Sequence, residues 1–158
     1  MSLVVPLTAL RPLVIILIMF TFRTEGADND QHVIAAVVMH RQKICLLRRS
    51  FLVDSDCGRW MCVTGYLPSG EDPLHQARTE VQEEMGLEYP QLQLVRQASA
   101  IHVQGENGAV WTVSPFLFEA EAPAVTLNWE NDDVLWLGPT EPLPAMTTFW
   151  LPAVLSSL

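Results

Sequence analysis

The 158-residue chain has no CxxC pair and only three cysteines, Cys45, Cys57 and Cys62. An odd count without that spacing argues against a disulfide framework or a zinc site, and suits reduced thiols in a cytoplasmic protein. Basic runs are missing as well: nine Lys and Arg stand against 18 Asp and Glu, for a net charge of -9. That balance lacks the electrostatic footprint of a nucleic-acid binder, so no nucleic-acid partner is expected. It also repels polyphosphates. An anionic substrate would therefore need positive charge supplied locally, and a divalent metal is the natural source. His32, His40, His75 and His102 show no metal-ligand spacing and read as structural or exposed.

Long apolar runs are equally scarce. One, Leu13 to Phe22 (LVIILIMFTF), stands near the N-terminus, and it falls short of the ~20 apolar residues that span a bilayer. Extending it back to Leu3 takes in Arg11, Pro6 and Pro12, and Glu25-Gly26-Ala27 puts an acid where signal cleavage wants a small residue. Three readings stay open: an upstream leader without function, a signal or membrane anchor, or an element packed on the domain. Residues 1–31 are expected to be an apolar leader and linker, with membrane contact only through that run. Residues 32–158 are expected to form one domain, a length that a single core sustains. A homodimer is left open.

Past His32, the run Val33 to Val38 (VIAAVV) reads as a buried strand and Lys43 to Arg49 (KICLLRR) as its hairpin partner across Arg41-Gln42. Arg59 to Val63 predicts a short strand running into the glycine-bearing stretch Gly65 to Gly70. The clearest helix follows. Asp72 suits an N-cap, Pro73 the first helical position and Gly86 a left-handed terminus, while Leu74, Ala77, Val81 and Met85 recur at helical spacing. Leu92 to Val103 and Ala109 to Glu119 predict an antiparallel pair joined by a turn at Gln104 to Gly108. Ala124 to Trp129 and Asp133 to Leu137 predict two more short strands, and Pro142 to Leu158 has room for a second helix. The fold class is α+β with a mixed sheet.

Chemistry concentrates on the helix. At about 100° per residue, Glu84 lies about 40° to one side of Glu80 and Glu83 about 60° to the other, so three carboxylates share a face. Like charges at that spacing repel, and anions in the last turn oppose the helix dipole. Taken alone, such a face is usually a solvated surface. A hard divalent cation would turn the repulsion into coordination.

The surrounding residues resemble the signature of the Nudix hydrolases: Gly, five residues, Glu, seven residues, then Arg-Glu-U-x-Glu-Glu-x-Gly-U, with U bulky and aliphatic. Gly65, Glu71, Glu80, Val81, Glu83, Glu84, Gly86 and Leu87 fill eight of its nine defined positions in register, and Thr79 stands in place of the arginine, with Arg78 one residue early. The resemblance implies a Nudix-type α/β/α sandwich with a catalytic loop-helix-loop. It further implies metal-dependent hydrolysis of a phosphoanhydride bond in a nucleoside diphosphate-linked substrate. Glu83 and Glu84 would then be metal ligands and Glu80 a ligand or the general base, with Mg2+ as the ion and Mn2+ as a substitute. Gly65, Glu71 and Gly86 would be structural members of the motif. Glu130, in Asn128-Trp129-Glu130, is the expected distant metal ligand, with Glu119 and Glu121 as competitors. Arg48 and Arg49 alternate along their strand, so at most one faces a substrate, and a surface charge is the default for each. Trp60, Trp111, Trp129 and Trp136 read mostly as core or rim, with one of the four open to stacking on a base. Markers of ADP-ribose, dinucleoside polyphosphate and NADH specificity are missing. A small nucleotide is the expected partner, in the order nucleoside triphosphate, oxidised nucleotide, nucleotide sugar. The alternative, motivated by Thr79, is a Nudix-fold nucleotide-binding or regulatory domain with weak or no catalysis.

Overall fold

The computed structural model describes residues 30–105 and 108–158. The leader and most of the linker, together with the centre of the expected turn at 106–107, lie outside the described residues. Among the described residues, no helix is long and apolar enough to cross a membrane.

Strand β1 (Asp30–His40) is the middle of the sheet. It runs longer than its apolar core predicted because it has neighbours along its whole length. β7 (Val110–Ala120) pairs with it in parallel from Asp30–Val110 to Met39–Glu119. On the other edge, β4 (Val63–Tyr66) takes its first half and β2 (Lys43–Arg49) its second, both antiparallel. The hairpin at Arg41-Gln42 holds both residues at positive φ, 49° and 67°, which matches the right-handed twist of the flanking strands.

Three expectations about strands are corrected. Arg59 to Val63 is not one strand. Its Trp60–Met61 portion (β3) bonds to β2, and from Val63 the chain bonds to β1, so Cys62 marks the change of neighbour. Leu92 to Val103 divides into β5 (Leu92–Gln97), preceded by a 3-10 turn at Tyr89–Gln91, and β6 (Ile101–Gln104), which pair with opposite ends of β7. Ala124 to Trp129 forms no strand. Its Thr126 N–H instead donates to Met85 O at 2.9 Å, at the end of the helix. β8 (Asn131–Leu137) pairs with β2, with an irregularity between Arg48 and Arg49.

Alternation along β1 explains why its stretch from Val33 to Met39 is apolar throughout. Ile34, Ala36 and Val38 face one core, with Ala77, Val81 and Met85 of helix α1 (Pro73–Met85). Ala35 and Val37 face the other, with Leu151 and Val154 of helix α2 (Leu151–Ser157). Both faces are covered by helices, which makes an α/β/α sandwich and suits a central stretch without polar positions. The thiols are free; burial pushes that of Cys45 up to about 12, so it is an inert packing group.

Helix α1 begins and ends where its local chemistry directs. Asp72 accepts from His75 N at 2.9 Å, and Gly86 adopts φ 68° with its N–H on Gln82 O. Asp72→Ala is expected to cost about 1 kcal/mol, as N-cap losses usually do. A chemical-denaturation midpoint equal to wild type would show that the cap contributes nothing here.

Candidate active site

The burial of the three helical carboxylates follows their angle from the apolar stripe. Glu84 is seven residues past Ala77, which returns it to within about 20° of that side chain's meridian. Its residue is 3% exposed. Glu80, further round, is half-buried, and Glu83 is exposed. The shared face expected from the wheel is therefore graded rather than uniformly solvated.

Each buried carboxylate meets a neutral amide. Gln76 Nε2 donates to Glu80 Oε1 at 2.8 Å, and Asn131 Nδ2 donates to Glu84 Oε2 at 2.8 Å from the start of β8. Thr79, in the position of the signature's arginine, turns its hydroxyl back to His75 O at 3.1 Å. Arg78 lies over the Tyr89 ring at 5.2 Å from its centroid. Glu80 is also pressed against β4: a Cβ on Gly65 would overlap its carboxylate. The signature glycine thus leaves the space that this side chain fills.

Glu130 precedes β8, where Arg49 Nη1 pairs with its Oε2 at 2.9 Å. Ser50 N–H donates to Glu130 O at 2.8 Å, and Ser50 Oγ to Trp129 O at 2.9 Å, tying this loop to the end of β2. The irregularity after Arg48 separates the two arginines. Arg48 pairs outward with Asp132 and Asp133, while Arg49 turns to the carboxylates. Reading Arg49 as an ordinary surface charge is thereby corrected. Glu119 accepts from Arg41 N at the hairpin and Glu121 is exposed, so neither competitor has a partner in this cluster. Glu71 is exposed, its N–H donating to Pro68 O at the entry to α1.

Electrostatics bind these groups into one unit. Burial above all, with Glu83 and Glu130 adding repulsion, pushes Glu80 up to about 7 against the opposing bond from Gln76. Burial likewise pushes Glu84 up to about 8; Glu130 and Glu80 add to it, while Asn131 and Arg49 oppose it. Among the described residues, no three His, Cys, Asp or Glu side chains are grouped so as to hold a metal ion as they stand. The donor set nonetheless suits a hard cation. It consists of carboxylate oxygens that repel one another, and magnesium commonly takes only one or two carboxylates, filling the rest of its shell with waters and phosphates. Asn131 Oδ1 and Arg49 Nε are buried without partners beside it.

Sequence reading missed Gln76 and Asn131, and left Arg49 as one of two arginines of which at most one would face a substrate. Gln76, four residues before Glu80, carried a helical signal. Asn131 carried none beyond standing next to Glu130.

The model of the NUDIX domain matches residues 30–157. Among curated proteins, none matches the chain. Solved structures share its fold. The MutT Nudix hydrolase from Burkholderia pseudomallei is 18% identical, with a TM-score of 0.66 over 83% of this chain and 99% of that one. An Ap4A hydrolase from C. elegans is 20% identical, with a TM-score of 0.59 over 68% of this chain and 80% of that one. A UDP-X diphosphatase is 16% identical, with a TM-score of 0.63 over 91% of this chain and 69% of that one.

Proposed function

This chain belongs to the Nudix hydrolase family, and on that footing we propose that it hydrolyses a phosphoanhydride bond in a nucleoside diphosphate-linked substrate, a nucleoside triphosphate or related nucleotide before others. The observation that carries this reading is the pair Glu80 and Glu84, one turn apart, both withdrawn from water and both repelled by Glu130. Such a cluster is costly unless a cation offsets it.

Glu83, Glu84 and Glu130 would hold Mg2+, or Mn2+ in its place, with Glu80 as a further ligand or the base. When bound, the ion supplies charge neutralisation at the phosphate oxygens and a more acidic water. Glu80 is set for proton abstraction: its carboxyl near 7 lies close to where general-base catalysis is most effective. Arg49 keeps the Glu130 carboxylate in place by a charge-assisted bond. Trp129, 58% exposed next to Glu130, and Phe51, 77% exposed next to Ser50, whose hydroxyl bonds to Trp129 O, offer apolar surface for a nucleobase.

The test is a panel of nucleoside triphosphates, oxidised nucleotides and nucleotide sugars with Mg2+, with products identified by mass. Cleavage of one class into a nucleotide and a phosphate product is expected. Binding of panel members without turnover, in Mg2+ or Mn2+, would favour instead the nucleotide-binding domain that Thr79 suggests. A pH profile is the companion measurement. Glu80 must be ionised to accept a proton, so kcat/KM should fall on the acid side, with the metal-free carboxyl near 7 as the upper bound of that limb. Bound Mg2+ moves that limb lower still, since a cation favours the charged carboxylate. An acid limb that persists unchanged in Glu80→Gln would remove Glu80 from the role of base.

A further inference from the structure

The cluster lacks the signature's arginine, yet its two buried carboxylates are not free. Gln76 sits one turn before Glu80, about 40° away around α1, and its 2.8 Å bond runs along the helix surface. Asn131 reaches Glu84 from the sheet at 2.8 Å and is itself 4% exposed. Its Oδ1, buried without a partner, cannot turn away unless the Nδ2 bond breaks. Thr79 and Arg78 are committed to His75 O and to the Tyr89 ring.

We infer that Gln76 and Asn131 are positioning residues of this site, two neutral carboxamides that hold Glu80 and Glu84 in the absence of the signature's arginine. This rests on the proposed reading of the site as a metal-dependent hydrolase. An amide donor fixes the rotamer of a carboxylate without cancelling its charge, whereas a guanidinium is itself a cation and competes with a metal for that charge. Each carboxylate also keeps one oxygen outside its amide bond. The unpartnered Asn131 Oδ1 offers an acceptor to a water that a bound cation would bring.

The experiment uses the full chain with Gln76→Met, Thr79→Arg, their combination, and Asn131→Leu. Mn2+ affinity is read by electron paramagnetic resonance, kcat and KM on the substrate that the panel identifies, and melting temperature in chelator. Gln76→Met should lower kcat about tenfold with KM nearly unchanged, within the 10–100-fold range seen when outer partners of metal ligands are removed. Thr79→Arg should restore most of that loss in the Gln76→Met background and leave the otherwise wild-type chain unchanged. Asn131→Leu should weaken Mn2+ binding by about tenfold or more on the same grounds. If the leucine variant does not fold, Asn131→Ala removes the donor without adding bulk and gives the same readout. Wild-type kcat in Gln76→Met, or wild-type Mn2+ affinity in the Asn131 variant, overturns the assignment of that residue. A wild-type chain that binds Mn2+ but hydrolyses nothing defeats the hydrolase reading alone. The Mn2+ affinities of Gln76→Met and the Asn131 variant then still decide the positioning roles.

Discussion

Glu84→Gln is expected to lower turnover about a hundredfold, the order of loss when a group that stabilises transition-state charge is removed, and to raise the melting temperature of the metal-free protein at pH 8. Both effects have one cause. Glu84 is buried and its carboxyl is pushed up to about 8, while in the unfolded chain it titrates near the ordinary glutamate value. The raised folded value favours the folded state below the unfolded pKa, and that contribution is lost as pH rises through about 8. Each pKa unit is worth about 1.4 kcal/mol. Glutamine has no charge to bury, so the variant escapes the loss and its stability should vary less between pH 5 and pH 8. Glu83→Gln should reduce activity similarly without stabilising anything, because Glu83 is already exposed. Adding Mg2+ should raise the melting temperature of wild type at pH 8, and chelation should reverse it. Full turnover in Glu84→Gln would remove this residue from the proposed metal ligands. A melting temperature no higher than wild type would mean that ionised Glu84 is tolerated in the folded protein without cost.

Gly65→Ala is expected to reduce kcat by tenfold or more, roughly the penalty for a misplaced reacting group, while the chain still folds. The added methyl would occupy the space of the Glu80 carboxylate. Glu80 is the end of a flexible side chain, so it is the part that gives way; it would leave both its place on β4 and its bond to Gln76. Circular dichroism close to wild type together with a depressed kcat is the expected pair of results. Unchanged kcat would mean that Glu80 works from more than one position, and the role of this glycine would then have to lie elsewhere.

Much of this molecule follows from short-range chemistry that sequence carries. Asp72, Pro73 and Gly86 delimit α1 to the residue, because capping is decided by side chains and φ values within one turn. The same holds for β2, bounded by a two-residue turn, and for the nearness of Glu80, Glu83 and Glu84, which helical period alone dictates.

Where chain segments distant in sequence meet depends on the packing of the whole sheet. Ala124 to Trp129 had a strand's composition but found no strand to bond, and Thr126 went to the end of α1 instead. Asn131 stands 47 residues from Glu84, and Arg49 stands 81 from Glu130. Their encounters depend on the pairing of β8 with β2 and on the irregularity after Arg48. Which residues could form the carboxylate cluster was legible from the amino-acid order, because helical spacing is local. The sheet decided how deeply each carboxylate is buried and which donor holds it, because burial and hydrogen-bond partners are properties of what packs against the helix.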